Sequence, residues 1–217
     1  MNTTLEINEI FYSIQGESTR AGWPCVFVRL QGCSLRCSWC DTKYAISPEG
    51  PHRTMQIDEI LSEVRKYPCR YVTVTGGEPL RQPNVHELLT RLAGEGFCVG
   101  LETNGWDSVA RVDSRIVKVM DVKCPSSGMG FRLDNLEYIT ATDEIKFVIA
   151  GREDYKFARD FVRTHSLVGR ARAVLFSAVA GLLEPKQLAE WILEDSIGVA
   201  LQLQLHKYIW GADAQGV

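Results

Sequence analysis

Three cysteines stand close together near the start of the chain, and their spacing suits a metal centre. Cys33, Cys37 and Cys40 form the pattern CxxxCxxC in a segment that begins with Gly32. Three thiolates on one short loop can converge on a soft metal centre. A structural zinc site would have a fourth ligand nearby, but the sequence has no second cysteine pair and its four histidines are scattered. The pattern therefore favours an iron–sulfur cluster.

The lack of a fourth cysteine in this pattern has a chemical consequence. An electron-transfer [4Fe-4S] cluster uses four cysteine ligands, so three cysteines leave one iron open. An open coordination position is what a metal centre needs to bind and activate another molecule. Structural zinc and a chance grouping of cysteines are the alternatives.

The remaining cysteines and the N-terminus indicate a reducing compartment. The chain has seven cysteines, an odd number, and begins MNTTLEINEI, with Glu6 and Glu9 where an export signal would be apolar. We therefore expect a cytoplasmic protein without disulfides. The four isolated cysteines lie at the edges of apolar segments, where we expect small buried side chains. They are Cys25, Cys69, Cys98 and Cys124.

Composition describes an ordinary globular chain and excludes several classes of partner. The 217 residues are 45% hydrophobic and 24% charged, which is enough to bury one substantial core, and we expect a single domain over residues 1–217. The net charge of -3 gives no electrostatic surface for nucleic acid or anionic lipid. The longest uncharged stretch, residues 173–183, is too short to cross a membrane.

Short apolar segments alternate with amphipathic ones along the chain. The apolar segments predict strands at residues 24–30, 71–75, 97–102, 117–121, 144–149, 173–177 and 199–205. Helical spacing of apolar residues predicts helices at residues 57–64, 85–92, 155–164 and 186–194. This alternation predicts an α/β fold with a mostly parallel sheet.

Small and polar residues follow almost every predicted strand. In order, these segments read QGCSLRCSWCDT, GGEP, TNG, KCPSSG, AVAG and HKYIW. Because the carboxyl ends of parallel strands meet at one rim, we expect a ligand site there. Enrichment of loops in such residues is the alternative explanation.

The cysteine pattern, with Trp39 just before its last cysteine and a strand before its first, resembles the signature of the radical S-adenosylmethionine enzymes. The resemblance implies an incomplete, modified (β/α) barrel with mostly parallel strands and fewer helices than strands. It also implies that the three cysteines hold a [4Fe-4S] cluster whose fourth iron binds S-adenosylmethionine. That cofactor would supply a 5'-deoxyadenosyl radical, and no catalytic side chain is expected beyond the cluster and cofactor.

The same resemblance implies which residues contact S-adenosylmethionine. In GGEP, Gly77 would allow close backbone approach and Glu78 would bind the ammonium group. Glu102 and Lys123 follow later strands, where they could meet the ribose and carboxylate or merely cap turns. The full set implied for this cofactor is Trp39, Asp41, Gly77, Glu78, Glu102, Lys123, Pro125 and Ser126.

A more specific resemblance rests on motifs from Phe11 to Lys207. These motifs are FxSxQGE, FVRLxGC, WCDT, TGGEPL, ETNG, DVKCPSSG and QLHK. Together they are similar to the 7-carboxy-7-deazaguanine synthase family. One departure is Ser18, which follows QGE where we expect glycine.

The resemblance implies a homodimeric lyase that converts 6-carboxy-5,6,7,8-tetrahydropterin to 7-carboxy-7-deazaguanine with loss of ammonia, toward queuosine and other 7-deazapurines. An electron donor such as a flavodoxin or ferredoxin would reduce the cluster. The substrate-binding residues implied are Ile14, Gln15, Gly16, Glu17, Arg29, Thr75 and His206.

Two of these substrate-binding residues, and a metal ligand that the resemblance also implies, have competing interpretations. Arg29 would bind the substrate carboxylate through its planar guanidinium, or be an exposed charge at a strand end. Thr42 would be a Mg²⁺ ligand, since magnesium prefers oxygen and often uses few protein groups, or the N-cap or turn residue of an Asp-Thr pair. His206 would bind substrate or be structural.

Two other functions remain open at this stage. A glycyl-radical activating enzyme would use the same cluster on a protein substrate. A non-enzymatic iron–sulfur or zinc redox module would bind metal without cleaving S-adenosylmethionine.

Overall fold

Nine strands form one open, mostly parallel sheet in the computed structural model, which describes residues 3–211 and 214–217. The strands are β1 Thr4–Ile14, β2 Pro24–Leu30, β3 Arg53–Gln56, β4 Tyr71–Gly76, β5 Cys98–Thr103, β6 Val117–Asp121, β7 Glu144–Ile149, β8 Ala173–Ala178 and β9 Ala200–Gln202. Their order is β3-β1-β2-β4-β5-β6-β7-β8-β9. Strand β1 is antiparallel to both neighbours, and all pairs from β2 to β9 are parallel. The predicted incomplete α/β barrel is confirmed, because the sheet does not close.

The described residues contain five α-helices, fewer than the strands. They are α1 Ile57–Val64, α2 Val85–Gly94, α3 Arg152–Thr164, α4 Pro185–Glu194 and α5 Leu205–Ile209. Short 3-10 helices cover Lys43–Ala45, Pro79–Arg81, Pro125–Ser127 and Leu133–Tyr138. No helix in these described ranges is long and apolar enough to cross a membrane.

Two parts of the secondary structure differ from the sequence predictions. The last strand ends at Gln202, and Leu205 begins α5 instead of ending the strand. Strands β1 and β3 were not predicted, because both carry many polar residues. A shift of register between Ile7 and Glu9 also interrupts the alternation of β1.

The helices cover one face of the sheet, where the apolar residues of each strand are buried. Alternate residues of β2, β4 and β5 pack on the apolar stripes of α1 and α2, and the residues of this cluster include Val28, Val74, Leu101, Ile60 and Leu88. A second cluster packs β6, β7 and β8 on α3 and α4 and includes Met120, Phe147, Phe176, Phe161 and Leu188. These two apolar clusters hold the strands in place, and the strands in turn position the loops at their carboxyl ends.

The opposite, inner face of the sheet is unusually polar. Residues paired in register point to the same side, so Arg29 lies beside Thr75, and Asp121 lies beside Lys146. The inner face therefore gathers charged groups below the loops at the carboxyl ends of the strands. Charged groups held this far from water are expected to be paired.

Candidate cofactor and substrate site

The cysteine loop follows β2 and is held by backbone hydrogen bonds. The N–H of Gly32 donates to the carbonyl of Ala45 over 2.9 Å, and that of Cys33 donates to Ile46 over 2.9 Å. The three cysteines of the loop have free thiols and are partly exposed. This loop is thus closed at its base while its sulfur atoms remain accessible.

The donor set of this loop fits an iron–sulfur cluster. Within residues 3–211 and 214–217, no three His, Cys, Asp or Glu side chains are arranged to hold a single metal ion. A [4Fe-4S] cluster places each thiolate on a different iron and so spaces its ligands more widely. The Sγ of Cys33 accepts hydrogen bonds from the Leu35 N–H (3.4 Å) and the Asn104 amide (3.6 Å). Both contacts stabilise negative charge on this sulfur.

Of the other cysteines, Cys25 and Cys124 are buried as expected, and Cys69 is partly buried. The expectation is wrong for Cys98, which is exposed. Cys98 is the first residue of β5, where the strand emerges from a turn after α2.

The two glycines of GGEP allow the turn after β4 to pack against the cysteine loop. Gly76 has a φ of +155°, and a β-carbon there would overlap the carbonyl oxygen of Leu30. A β-carbon on Gly77 would overlap the carbonyl oxygen of Gly32. The close backbone approach that the sequence predicted for Gly77 is therefore made to this loop, which contains the cluster cysteines.

The structure gives Glu78 a different position from the one expected of a ligand of the cofactor's ammonium group. Its side chain is 0% exposed, and its carboxylate accepts hydrogen bonds from the Leu80 N–H, the Thr103 hydroxyl and the Asn104 N–H. Burial raises the pKa of Glu78 to about 7, although these hydrogen bonds oppose the shift. Glu78 thus joins the GGEP turn to the ETNG turn, and Asn104 in turn reaches the Cys33 sulfur.

The KCPSS segment after β6 supports the other end of the cysteine loop. The indole N–H of Trp39 donates to the Ser126 hydroxyl over 3.0 Å, and the Ser38 hydroxyl donates to the Ser126 carbonyl over 2.8 Å. The Lys123 ammonium lies 5.6 Å from the centre of the Trp39 ring. Pro125 begins the 3-10 helix at Pro125–Ser127 and is exposed. Ser126 and Lys123 therefore contact the cysteine loop at Trp39.

Gln15 lies inside the barrel with its amide already hydrogen-bonded. Its NH₂ group donates to the Thr73 hydroxyl (3.0 Å) and to Glu102 (3.3 Å), while its oxygen accepts from the Glu17 N–H (3.1 Å). The Thr75 hydroxyl donates to the other Glu102 oxygen over 3.0 Å. Burial raises the pKa of Glu102. Gln15, Thr75 and Glu102 therefore form one connected group.

Glu17 is the centre of an ion-pair network that the sequence did not reveal. One Glu17 oxygen lies 2.5 Å from the Lys146 ammonium, and the other accepts a hydrogen bond from the Gln204 amide over 2.6 Å. Lys146 also lies 3.3 Å from Asp121, which pairs with Lys123 at 2.7 Å. The available signal was Lys146 itself, a charged residue within the apolar segment EIKFVI.

The charges of this network are mutually stabilised. Burial alone would raise the pKa of Glu17, but the charge and hydrogen bond of Lys146 lower it overall. Burial would likewise lower the pKa of Lys146, but Asp121 and Glu17 raise it well above its usual range. Both groups are therefore charged at neutral pH.

Arg29 is not the exposed strand-end charge that was the competing interpretation. Its side chain is 15% exposed, and its Nε donates to Glu9 over 2.7 Å. Tyr44 also donates to Glu9, over 2.9 Å, and the rings of Phe11 and Tyr44 each lie 5.9 Å from the guanidinium carbon. Within the described residues, only Nε of this guanidinium has a hydrogen-bond partner. The terminal nitrogens therefore keep donors for a ligand.

Thr42 stands at the N-cap position of the 3-10 helix Lys43–Ala45, but its side chain does not cap the helix. Its hydroxyl instead donates to Asp41 over 3.1 Å, and its carbonyl accepts from the Ala45 N–H over 3.0 Å. Asp41 pairs with Lys207 at 2.9 Å. The competing interpretation of Thr42 as an N-cap or turn residue therefore holds for its position, although its side chain makes no capping hydrogen bond.

The QLHK segment lies across the turn that follows β1. The Leu205 N–H donates to the Gly16 carbonyl over 3.0 Å, and a β-carbon on Gly16 would overlap Nδ1 of His206. Ile14 is the last residue of β1 and leads into this turn. Burial lowers the pKa of His206, which favours a neutral imidazole. The structure thus brings the predicted substrate residues of the two ends of the chain into contact.

Ser18, the residue after QGE where glycine was expected, has a backbone conformation that glycine adopts more readily. Its φ is +67°, a left-handed conformation in which a side chain is strained. The Ser18 hydroxyl accepts a hydrogen bond from the Arg20 N–H over 3.0 Å, which offsets part of the strain.

Comparisons with known proteins agree with this geometry. Residues 27–122 match the model of the radical SAM superfamily. The chain is 45% identical to 7-carboxy-7-deazaguanine synthase of Koribacter versatilis over 98% of this chain and 100% of that protein. It is 46% identical to the enzyme of that name from Chlorobaculum tepidum over 98% of this chain and 97% of the relative.

Two solved structures share the fold. QueE from Escherichia coli superimposes with a TM-score of 0.76 and 24% identity, covering 92% of this chain and 94% of its own. SuiB from Streptococcus suis, bound to S-adenosylmethionine, gives a TM-score of 0.54 and 15% identity over 79% of this chain and 44% of its own. From the full-length identity to the two synthases, together with the superfamily match around the three cysteines, it follows that the chain belongs to the 7-carboxy-7-deazaguanine synthase family of radical SAM enzymes.

Proposed function

We propose that this enzyme converts 6-carboxy-5,6,7,8-tetrahydropterin to 7-carboxy-7-deazaguanine and ammonia, the step that leads to queuosine and other 7-deazapurines. The observation that carries the proposal is the convergence of three distant motifs. Glu17 of the QGE motif bonds Gln204 at 2.6 Å, and Asp41 of the WCDT motif pairs with Lys207 at 2.9 Å. Both partners belong to QLHK, so the family's most specific motifs form one site.

The cluster and S-adenosylmethionine, when bound, supply hydrogen-atom abstraction from the substrate. Cys33, Cys37 and Cys40 would hold the cluster. The residues that would orient S-adenosylmethionine are Trp39, Asp41, Gly77, Glu102, Lys123, Pro125 and Ser126. Glu78 would support this site indirectly, because its hydrogen bonds fix the GGEP and ETNG turns relative to each other.

The polar interior of the barrel would recognise the pterin. Gln15, Glu17 and the backbone of Ile14 and Gly16 offer donors and acceptors to an amide-like ring edge. Thr75 and the neutral imidazole of His206 lie in the same region. These groups would read the ring by hydrogen bonds, and the ion pairs beneath them would keep the groups in place.

Arg29 and Thr42 would bind the charged end of the substrate. The terminal nitrogens of Arg29 can donate two parallel hydrogen bonds to a carboxylate. Thr42 would contribute its hydroxyl to a Mg²⁺ ion, with the substrate carboxylate and water completing the shell. The hydroxyl donates its proton to Asp41 and keeps its oxygen lone pairs for the metal ion.

Four further features belong to the proposal. The chain would form a single domain over residues 1–217, of which residues 1–2 and 212–213 lie outside the described ranges. It would act as a homodimer in the cytoplasm and receive electrons from a flavodoxin or ferredoxin. No nucleic-acid or membrane partner is proposed, in keeping with the net charge of -3.

Anaerobic turnover tests the function directly. Reconstituted protein is incubated with reductant, S-adenosylmethionine, Mg²⁺ and the carboxytetrahydropterin, and products are measured by mass spectrometry. We expect 7-carboxy-7-deazaguanine and an equal amount of ammonia. Cleavage of S-adenosylmethionine without a deazaguanine product would indicate another radical enzyme, and no cleavage would indicate a redox module.

A further inference from the structure

The side chain of Lys207 is largely enclosed, whereas the three residues that follow it are exposed. It belongs to the five-residue helix α5, and Tyr208, Ile209 and Trp210, the next three residues, are exposed. Its own side chain is 14% exposed, and its ammonium lies 2.9 Å from Asp41 and 2.7 Å from the Gln204 oxygen. A lysine loses much side-chain freedom in such a position, so these contacts require an explanation.

The contacts of Lys207 continue to the turn at the other end of the site. The Gln204 side chain accepts from Lys207 through its oxygen and donates to Glu17 through its nitrogen over 2.6 Å. An unbroken chain of polar contacts therefore runs from Asp41 to Glu17. No direct hydrogen bond or ion pair joins residues 15–17 to residues 33–42 anywhere in the described ranges.

The side chains at the two ends of this series of polar contacts carry charges of the same sign. Glu17 and Asp41 are both carboxylates; burial acts to raise the pKa of Glu17, and the negative charge of Asp41 adds a small effect in the same direction. A cation placed between them replaces repulsion by attraction. Lys146 neutralises Glu17 from below, whereas Lys207 is the cation that contacts Asp41. Lys207 is thus the cation that links Asp41, through Gln204, to the turn that contains Glu17.

We propose that Lys207 is a positioning residue that sets the distance between the substrate-reading turn at residues 15–17 and the loop that carries Thr42. The proposal deepens the proposed function and rests on it. Lys207 does not touch the pterin itself. Through Gln204 and Asp41 it brings the ring-recognition groups and the Mg²⁺ ligand to the spacing that one substrate molecule requires.

The cysteine loop has other supports, which separates this role from cluster binding. Backbone bonds from Gly32 and Cys33 hold one end of the loop, and the contact between Trp39 and Ser126 holds the other. Loss of Lys207 should therefore leave the cluster intact. The deficit should appear in the response of turnover to the pterin and Mg²⁺.

The test compares Lys207→Met with Lys207→Arg and with Lys186→Met. Lys186 is 88% exposed and serves as the matched control. We expect Lys207→Met to raise the KM for the pterin and the half-saturating Mg²⁺ concentration by about tenfold, the scale of one charge-assisted hydrogen bond. Iron content should stay unchanged, and arginine should restore most of the loss because it can reach both oxygens.

A second readout needs no cluster. Hydrogen exchange of the metal-free protein should become faster in residues 14–18 and 203–210 together in Lys207→Met, and in neither segment in Lys186→Met. If Lys207→Met does not fold, Lys207→Gln is measured in its place with the same expectations.

The outcomes separate this inference from the proposed function. Wild-type turnover with unchanged KM, Mg²⁺ response and exchange in Lys207→Met would overturn the positioning role alone. Loss of iron in Lys207→Met would also overturn it, because the residue would then support the cluster. A wild-type protein that cleaves S-adenosylmethionine but makes no deazaguanine would overturn the proposed function and this inference with it.

Discussion

Replacing Glu78 by Gln should change how the stability of the protein depends on pH. The Glu78 carboxyl is completely buried, and burial raises its pKa from 4.5 to about 7. The folded protein therefore keeps this proton up to a pH of about 7, while the unfolded chain releases it near 4.5. Because the folded state binds more protons in this window, its stability falls as the pH rises.

The size of the effect follows from the width of the window. Each tenfold change in the proton equilibrium is worth about 1.4 kcal/mol, so the interval from 4.5 to about 7 corresponds to roughly 3 kcal/mol. Glutamine has no charge to desolvate and loses this dependence. It cannot, however, accept from the Leu80, Thr103 and Asn104 donors together, which costs roughly 1 to 3 kcal/mol at every pH.

The free energy of unfolding of the metal-free protein, measured by urea denaturation between pH 4.5 and 8, checks this expectation. Wild type should exceed Glu78→Gln at low pH, and the difference should shrink by roughly 3 kcal/mol as the pH rises. Glu153→Gln, a change at an exposed position on α3, should leave the wild-type pH dependence unchanged. A constant difference between wild type and Glu78→Gln would refute the raised pKa.

Five further substitutions have defined outcomes. Cys40→Ala should abolish the iron–sulfur absorbance and S-adenosylmethionine cleavage, whereas Cys69→Ala should retain both; the reverse result would contradict the ligand assignment. Arg29→Lys should weaken pterin binding by roughly 1 to 3 kcal/mol in a titration, because the two terminal donors are lost, and should leave uncoupled cofactor cleavage intact. Thr42→Ala should flatten the Mg²⁺ dependence of turnover at a stability cost below about 0.5 kcal/mol in thermal unfolding, since no cap is lost; an unchanged Mg²⁺ response would exclude the metal role. Gly16→Ala should displace the His206 ring and raise the KM for the pterin with normal iron content; wild-type kinetics would show that α5 adjusts without consequence.

Much of the fold could be predicted because the parallel strands are buried on their helix-covered face. Strands β2, β6 and β7 have the predicted bounds, since each is a short apolar run between polar turns. Strand β1 escaped prediction because it is antiparallel and carries Glu6 and Glu9, so its polar residues resemble those of a loop. The helix at Leu205 was mistaken for strand because a short apolar run does not reveal its period.

The candidate site shows a similar division. The cysteine loop and the glycine turn were visible because their chemistry depends on residues close in sequence. The burial of Glu78 could not be predicted from the sequence. The direction of its side chain depends on hydrogen bonds to the ETNG segment, 26 residues later. Lys146 was visible as a charge within an apolar segment, but its partner Asp121 became evident only from the pairing of β7 with β6.

The contact between Glu17 and Gln204 joins residues 187 positions apart, and this separation has a consequence for biosynthesis. The ribosome completes the cysteine loop while most of the barrel is still untranslated. At ordinary elongation rates, on the order of 10 s pass before QLHK is made. During that interval Glu17 and Asp41 are present without Gln204 and Lys207, so the contacts that link the first turn to the cysteine loop form only after the last helix is made.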